Sequence, residues 1–420
     1  MDLSEQCAEQ LSEFDAKNLR RRLRRVDDLN GTEVRMDNQR LVSFASNDYL
    51  GLSAHPALKE AAICAVEKWG AGSGASRLIS GSLGVHHELE DVLAQWKGTE
   101  AALTFSSGYS AGLGLIPALV STGDVVIVDK RVHACCIDGA RLSGATLRVF
   151  AHNDLEDLDR ILKWADANPR GSSVAKRRRI LVVVESVYSM DGDLGLLRNI
   201  VDLKERYGGS LLVDEAHGVG LFGERRTGVV EAMGLEGRVE IQMGTLGKAV
   251  GSAGGYVCGS RSLIDFLVQS ARSLIFSTAP VPAQSAAALA GVRMVRSDEG
   301  ALRCRRVWEL VDHLKHRLIH SGWTLPLIQS AIVPVLVGSE ESALRLSDQL
   351  RQNGFFGPAI RYPTVPRGEA RLRLTITARH QPVEIDGLVQ ALSQESKEHH
   401  ASSLQLSRRA RVLCKPPQRP

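Results

Sequence analysis

The sequence predicts an α/β fold in which a large domain is built on a mainly parallel sheet and a smaller α+β domain follows it. Two observations support this class. Short runs of valine, isoleucine and leucine alternate with helical segments from residue 124 to residue 259, and uninterrupted apolar runs are typical of strands covered on both faces. Beyond residue 290 the pattern changes to one long amphipathic helix and two strands. With 420 residues, 44% of them hydrophobic and 24% charged, the chain is long enough for both domains.

The chain is predicted to consist of four segments. These are an N-terminal arm (1–45), a large domain (46–290), a small domain (291–395) and a polar, basic, proline-rich tail that we expect to be disordered (396–420). In the arm we predict a polar helix through NLRRRLRR (18–25), a turn at Asn30-Gly31 and a short strand from Leu41 to Phe44. Within the large domain, residues 170–179 are interpreted as a surface insertion.

The large domain begins with helical and glycine-rich segments and continues as a series of strands. ALKEAAICAVEKW is predicted to be helical, and LGVHHELEDVLAQWKG places Val85, Leu89 and Trp96 on one helical face, with a solvated or capping role expected for His86. The strands are predicted at AALTF and at residues 124–130, 146–152, 180–186, 210–217, 240–244 and 254–259. This spacing is typical of βα units, which favours parallel pairing.

Composition limits the class of protein. A net charge of +4 is small for this length and does not indicate a nucleic-acid partner. The seven cysteines include no C-x-x-C pair, which favours reduced thiols over disulfides or a zinc site. No apolar run reaches the ~18 residues of a membrane span, and the first residues show no apolar signal region. We therefore expect a cytoplasmic protein without a metal ion.

The candidate site lies in two short stretches between Gly209 and Gly251. In SLLVDEAHGVG a buried strand is followed by Asp214 and His217, and in IQMGTLGKAVG a strand leads into a glycine loop with Lys248. The carboxyl edge of a parallel sheet is where ligands bind. A carboxylate, an imidazole and a lysine at that edge suggest pyridoxal phosphate (PLP), with the carboxylate on the ring nitrogen and the lysine as the Schiff-base amine.

These stretches have two alternative interpretations. LLVDEAH is also similar to the second ATPase motif of DEAH-type helicases, which need a phosphate loop. The only Gly-Lys candidate has Gln242 where that loop needs glycine, and Ala249 where it needs serine or threonine. In the second alternative, Asp214 caps a helix and Lys248 is an ordinary loop residue. Their combination with the polar residues at other strand ends disfavours this alternative.

Other strand ends carry residues suited to a cofactor. The segment SSGY after AALTF is predicted to start a helix. The free amides of Gly108 and Tyr109 at that helix N-terminus are therefore predicted to form a phosphate-binding site. His133 follows another strand and is placed to stack on a cofactor ring, while Ser189 is placed to donate to a ring oxygen. Asn47, in the turn-rich connection SNDYLGLSAHP, either lines the site or caps the following helix.

The chain resembles the α-oxoamine synthases, which are fold-type I PLP-dependent transferases that condense an amino acid with an acyl thioester. The resemblance covers roughly residues 15–395 and rests on SNDYLGL, GSGASRLISG, HHELE, SSGYSA, FAHND, ESVYSMDGD, VDEAHGVG, TLGKAVGSAGG, IFSTA, RSDEG and AIRYPTVPRGEARLRLTITARH. It implies an acyltransferase of biotin biosynthesis that acts as a homodimer on L-alanine and a pimeloyl thioester of coenzyme A or an acyl carrier protein. Tyr362-Pro363 departs from the Pro-Pro that is usual in the biotin-pathway members of the family. The segment IRYPTVPRG that contains it instead resembles 5-aminolevulinate synthase. Glycine-using members, including 2-amino-3-ketobutyrate ligase, therefore stay open as alternatives, as does a non-catalytic partner subunit on the same fold.

The resemblance also implies roles for individual residues. Lys248 is the Schiff-base lysine and Asp214 keeps the pyridinium protonated, while His133 stacks on the ring. The other cofactor contacts it implies are His217 and Ser189 on the ring oxygen, Gly108, Tyr109 and Thr245 on the phosphate, and Ser277 and Thr278 on the phosphate of the neighbouring subunit. The substrate contacts it implies are Arg361 as a clamp on the amino-acid carboxylate, together with Arg20, Asn47, His133 and Thr364.

Overall fold

A computed structural model describes residues 2–167 and 178–393. The helices are α1 Leu3–Ala16, α2 Pro56–Trp69, α3 Gly84–Lys97, α4 Gly108–Leu119, α5 Ala134–Leu142, α6 Leu155–Ala167, α7 Leu197–Arg206, α8 Val229–Ala232, α9 Arg261–Ser270, α10 Arg272–Ile275, α11 Pro282–Arg296, α12 Asp298–His320, α13 Glu340–Gln352 and α14 Pro382–Ser393. The strands are β1 Val26–Asn30, β2 Glu33–Met36, β3 Gln39–Ser43, β4 Ala101–Phe105, β5 Val125–Asp129, β6 Thr146–Phe150, β7 Ile180–Glu185, β8 Ser210–Asp214, β9 Ile241–Thr245, β10 Gly255–Gly259, β11 Ile332–Gly338, β12 Phe355–Phe356, β13 Ala359–Ile360 and β14 Ala370–Thr375.

The centre of the molecule is a seven-stranded sheet with the order β4-β10-β9-β8-β7-β5-β6. The pairs from β9 to β6 are parallel, and only β10 runs antiparallel to its neighbours β4 and β9. Each predicted strand of this sheet is present within three residues of its predicted bounds, the largest difference being the strand predicted at 210–217, which ends at Asp214. The predicted α/β class with a mainly parallel sheet is confirmed.

The sheet is covered on both faces, which explains the uninterrupted apolar runs. In β5, Val125 and Ile127 pack into one core cluster, whereas Val126 and Val128 pack into another. Successive side chains of a strand point to opposite faces, so a strand with a core on each side carries few polar residues before it ends. Polar residues of the large domain therefore collect at the strand ends, where the candidate site lies.

The N-terminal segment differs from its prediction. The helix is α1, which starts with a capping box between Asp2 and Glu5 and ends at Ala16, and residues 19–25 are not helical. Asn18 has a left-handed φ of 54°, a conformation that ends helices. The arginines that follow would repel one another on a helix face, so the polar helix predicted through 18–25 was wrong.

The rest of the arm is a small antiparallel sheet. The turn predicted at Asn30-Gly31 is present, with Gly31 at a positive φ of 68°, and it joins β1 to β2. The predicted strand near Leu41 is β3, and β3 pairs in parallel with β12 from the C-terminal part of the chain. The arm is therefore tied by backbone hydrogen bonds to residues that are far from it in sequence.

The C-terminal part contains a three-stranded sheet with the order β11-β14-β13, packed with α12, α13 and α14. It has the predicted α+β pattern. The predicted domain boundary at 290–291 falls inside α11, and the division into domains stays a prediction. The predicted insertion at 170–179 lies mostly outside the described residues, and so does the tail at 396–420.

The glycine-rich loop and His86 both lie at close backbone contacts. A Cβ on Gly81 would lie 2.1 Å from the carbonyl oxygen of Ala75, so this position requires glycine. His86 was expected to be solvated or capping. It is buried, and its ring contacts the amide of Leu83 at 3.0 Å and the carbonyl of Pro280 at 2.9 Å, so it is a buried cap.

Over the described part of the chain, no helix combines the length and the apolar character that crossing a bilayer would require. The six cysteines placed in the structure, Cys7, Cys64, Cys135, Cys136, Cys258 and Cys304, are all free thiols.

Candidate active site

The carboxyl ends of β5, β7, β8 and β9 meet the N-terminus of α4 around a cavity of about 160 Å³. Its lining consists of Gly108, Tyr109, His133, Cys135, Glu185, Asp214, Ala216, His217, Met243, Gly244, Thr245 and Lys248. Seven of these were singled out from the sequence, although they come from four separate segments. The parallel sheet brings them together because its strands end at one edge.

The amine of Lys248 is held beside an imidazole. Its Nζ lies 2.7 Å from Nε2 of His217, whose Nδ1 lies 2.5 Å from the hydroxyl of Tyr49. Burial lowers the pKa of Lys248 to about 8, against the attraction of Asp214. Burial also lowers the pKa of His217 well below its usual range, and the charge of Lys248 adds to this effect. The site thus contains a lysine that loses its proton easily, next to a neutral imidazole.

Asp214 ends β8 and presents a buried carboxyl group to the cavity. One oxygen accepts a hydrogen bond from the amide of Ala216 at 2.9 Å. Burial raises the pKa of Asp214, and the positive charge of Lys248 opposes that rise. A cationic ligand group placed against this carboxyl would favour its ionised form and form an ion pair with it. Glu215, the next residue, is turned away and accepts hydrogen bonds from the amides of Val229 and Val230 at 2.9 Å.

The N-terminus of α4 forms the opposite wall. Gly108 is its first residue, and a Cβ there would lie only 3.4 Å from Cβ of Thr245, so glycine leaves room beside the helix amides. The hydroxyl of Tyr109 donates to Asp138 at 2.6 Å, which holds its ring edge-on to the ring of His133, with 6.4 Å between centroids. A twelve-residue helix that begins here attracts an anion such as a phosphate.

His133 is the N-cap of α5, and its Nδ1 accepts a hydrogen bond from the amide of Cys135 at 3.3 Å. The ring itself is exposed at the mouth of the cavity, where a flat ligand could stack on it. The thiol of Cys135 was not singled out from the sequence. Its contact with Cys136, at 3.9 Å between sulfurs, lowers the pKa of Cys135 to about 6.

The structure adds Arg373, which sequence analysis missed as a site residue. Its guanidinium donates to the carbonyl oxygen of Ser189 at 2.6 Å and to Oδ1 of Asn47 at 3.2 Å, so it lies between two predicted site residues. Its positive charge also lowers the pKa values of His217 and Lys248. The signal in the sequence is RLRLTIT, where Arg373 alternates with leucines, but alternation alone does not distinguish a buried arginine from a solvated one.

Asn47 does not cap the helix that follows it, because the N-cap of α2 is His55. Asn47 instead accepts from Arg373. The backbone of Ser189 lies next to the cavity, because its amide donates a hydrogen bond to Oε2 of the cavity residue Glu185 at 3.2 Å. The structure therefore places Asn47 and Ser189 next to the cavity without placing either side chain in its wall.

Several predicted residues lie elsewhere in the described chain. Arg361 donates to the carbonyl oxygens of Asn18 and Arg20, and the Arg20 side chain pairs with Asp15 at 2.5 Å. Arg361, Arg20 and Thr364 do not line the cavity, and neither do Ser277 and Thr278. Thr278 instead forms an isolated β-bridge with Ser76. The roles given to these residues stay predictions.

The donor set of the cavity fits PLP. An amine with a lowered pKa suits the aldehyde, the buried carboxyl of Asp214 suits a protonated ring nitrogen, and the start of α4 suits the phosphate. Glycine at position 108 keeps the approach to the helix amides open. These features lie around one cavity, so one molecule with those three groups satisfies all of them.

Comparison with known proteins agrees with this site. Residues 39–392 match the family model of class I and II aminotransferases. The 8-amino-7-oxononanoate synthase of Geobacter sulfurreducens is 43% identical over 396 residues, which cover 94% of this chain and 99% of that protein. The 8-amino-7-oxononanoate synthase of Methylobacterium nodulans is 45% identical over 384 residues, covering 91% of this chain and 94% of that protein.

Among solved structures, a serine palmitoyltransferase from S. paucimobilis, containing PLP joined to myriocin, has a TM-score of 0.87 at 30% sequence identity and covers 94% of this chain and 99% of that chain. Together with the sheet and the site, this likeness defines the class: the fold is that of a fold-type I PLP-dependent transferase. The chain belongs to the aminotransferase class I and II family and, within it, to the family of the 8-amino-7-oxononanoate synthases. The resemblance to the α-oxoamine synthases is confirmed.

Proposed function

We propose that this chain is a PLP-dependent acyltransferase of biotin biosynthesis. It condenses L-alanine with a pimeloyl thioester and yields 8-amino-7-oxononanoate, carbon dioxide and the free thiol. The observation that carries the proposal is that Lys248 and Asp214 face one cavity, in a chain that is 43% identical to an 8-amino-7-oxononanoate synthase. Such a pair would hold the aldehyde and the ring nitrogen of PLP, whose ring can stabilise negative charge on the α-carbon of an amino acid.

Five residues would hold the cofactor in this proposal. Lys248 would bind the aldehyde, Asp214 the ring nitrogen, His133 the ring face, and Gly108 and Tyr109 the phosphate. When bound, PLP supplies a cationic ring into which negative charge on the α-carbon of the amino acid can delocalise. Asp214 keeps the ring nitrogen protonated because a buried carboxylate stabilises a neighbouring positive charge.

Lys248 is the residue that moves protons. With a pKa of about 8, its amine is neutral more often than that of an ordinary lysine and can accept the α-proton of the amino acid. His217, 2.7 Å away and kept neutral by burial, can accept a hydrogen bond from the resulting ammonium group and so fix its position. Tyr49 in turn holds His217 from the other ring nitrogen at 2.5 Å.

Arg373 is the residue we propose for the carboxylate of L-alanine. It is buried, it lies close enough to Lys248 to affect its pKa, and its planar guanidinium can form two parallel hydrogen bonds to a carboxylate. Arg361, which the resemblance suggested for this role, is instead engaged with the carbonyl oxygens of Asn18 and Arg20.

A homodimer is part of the proposal. The segments that carry Ser76 and Thr278 form one patch, and this patch exposes the large apolar side chains of Ile79 (80% exposed) and Phe276 (71% exposed). Exposed apolar side chains of this size, close together, are typical of a protein interface. A second copy covering the patch would also bring Ser277 and Thr278 towards a neighbouring site.

A cytoplasmic location is also proposed. It rests on the free thiols of all six cysteines that the structure places, since thiols stay reduced in that compartment.

A substrate panel tests the function. L-alanine and glycine would each be combined with pimeloyl, acetyl and succinyl thioesters of coenzyme A and of an acyl carrier protein, with release of free thiol as the readout. We expect turnover with L-alanine and a pimeloyl thioester. The Lys248→Ala variant serves as the matched control for uncatalysed hydrolysis. Turnover with glycine alone would favour the glycine-using relatives suggested by Tyr362-Pro363 and would overturn the proposal.

A further inference from the structure

Glu185 is a buried carboxyl group in the cavity for which the proposed reaction has no role. It is the last residue of β7, it is 2% exposed, and its side chain lines the cavity beside Asp214. Glu185 and Asp214 are direct partners in the register of the parallel strands β7 and β8. Register partners on neighbouring strands point to the same face of a sheet, so the two carboxyl groups lie side by side.

The two oxygens of Glu185 are in different situations. Oε2 accepts a hydrogen bond from the amide of Ser189 at 3.2 Å. Oε1 is buried and accepts no hydrogen bond of good geometry within the described chain, although the backbone N–H of His133 lies close enough to the carboxyl group to lower its pKa. A buried polar atom without a partner is costly, so its presence in the wall of a ligand cavity points to a partner on the ligand.

The charges around Glu185 decide its protonation state. The titratable and charged groups that face it are Asp214 from β8, Lys248 from the loop after β9, His133 from the start of α5, Cys136 from α5, Tyr49, and Tyr188 from the loop after β7. Burial, reinforced by the charge of Asp214, raises the pKa of Glu185 to about 8, although Lys248 and His133 oppose the rise. Two neighbouring buried carboxyl groups do not both ionise readily.

The proton of this pair belongs on Glu185. In the proposed function Asp214 faces a protonated ring nitrogen, which favours its ionised form, while Glu185 has no such partner. We propose that Glu185 is a neutral carboxylic acid in the working enzyme and that its Oε1 hydroxyl donates a hydrogen bond to an anionic oxygen of the bound ligand. That oxygen belongs either to the ring hydroxyl of the cofactor or to the carboxylate of the amino acid. The inference rests on the proposed function because it takes PLP as the occupant of the cavity.

Glu185→Gln and Glu185→Leu form the matched pair of variants that tests this role. Glutamine copies a neutral acid, because its carbonyl can accept from Ser189 while its amide nitrogen donates into the cavity. Leucine has a similar size and can do neither. We expect Glu185→Gln to bind its ligands within about threefold of the wild type, and Glu185→Leu to bind one of them at least about tenfold more weakly.

Two binding measurements identify the oxygen that accepts the hydrogen bond. Equilibrium binding of PLP to the apoenzyme detects a contact to the ring hydroxyl, and binding of L-alanine to the PLP-loaded enzyme detects a contact to the carboxylate. Loss of the first alone in Glu185→Leu assigns the donor to the cofactor, and loss of the second alone assigns it to the amino acid. Equal loss of binding in the glutamine and leucine variants, or no loss in either, would contradict the inference.

Infrared spectroscopy tests the protonation state in the wild-type protein, so that it does not depend on how the variants fold. The carbonyl stretch of a protonated carboxylic acid should be visible near neutral pH, shift on labelling with isotopic glutamate, be absent from Glu185→Gln, and disappear as the pH is raised, because burial raises the pKa of Glu185. A wild type that binds PLP but lacks this band would refute the inference alone. A wild type that does not bind PLP would instead refute the proposed function.

Discussion

Replacing Arg373 by lysine tests how the substrate is held. The guanidinium makes three internal hydrogen bonds, to Ser189 at 2.6 Å, Thr375 at 2.9 Å and Asn47 at 3.2 Å, which fix its plane. Lysine keeps the positive charge but is a single point donor, so it cannot grip a carboxylate with two parallel bonds. One hydrogen bond to a charged group contributes about 1.5–3 kcal/mol. We therefore expect Arg373→Lys to raise the KM for L-alanine by about 10- to 150-fold.

The assay follows thiol release while L-alanine is varied at a saturating concentration of the pimeloyl thioester. Arg361→Lys is the control, because Arg361 contacts the carbonyl oxygens of Asn18 and Arg20, whereas the charge of Arg373 acts on Lys248 and His217. Its KM for L-alanine should change by less than about threefold. Thermal unfolding of both variants separates a binding defect from lost stability. An alanine KM that rises in Arg361→Lys and stays unchanged in Arg373→Lys would refute the assignment.

Two further predictions concern the phosphate-binding site and pH. Gly108→Val should weaken PLP binding to the apoenzyme at least about tenfold by filling the space beside the helix amides. Gly84→Val, where an added Cβ meets nothing within 4 Å, should leave PLP binding unchanged, and similar affinities of the two variants would contradict the phosphate site at α4. His152 lies between Asp129 and Asp193, at 2.9 and 2.7 Å, and although burial alone would lower its pKa, these carboxylates raise it to about 9. Because its folded pKa exceeds the unfolded value of about 6.5, its contribution of about 3 kcal/mol is complete below that pH and is lost as the pH rises through about 9. Urea unfolding should show this loss in the wild type and a much smaller one in His152→Gln, and equal slopes would contradict it.

The central sheet and its edge could be predicted from the sequence because their cause is local. A strand with a core on each side is mainly apolar until it ends, and polar residues such as Asp214 and His133 lie at or just beyond these ends. The spacing of the strands then predicts parallel pairing, which brings separate segments to one edge. Seven predicted site residues meet at the cavity for this reason.

The remaining features depend on contacts between distant parts of the chain. Arg373 is in β14 of the C-terminal sheet, and nothing in its own segment shows that it reaches Ser189 and Asn47. Glu185 ends a strand like other polar residues, and its unusual state arises only from its register with Asp214. The end of α1 was mispredicted because the left-handed residue Asn18 and repulsion among arginines outweigh the good helix propensity of arginine.

The most direct test of the account is to locate the cofactor on the chain. The protein would be loaded with PLP, reduced with borohydride so that any cofactor bound to an amine becomes permanent, digested, and mapped by mass spectrometry. We predict that the added mass lies on Lys248 and that Lys248→Ala carries none. Finding the cofactor on a different lysine, or finding no covalent attachment in a protein that turns over substrate, would contradict the assignment of Lys248 and the mechanism built on it.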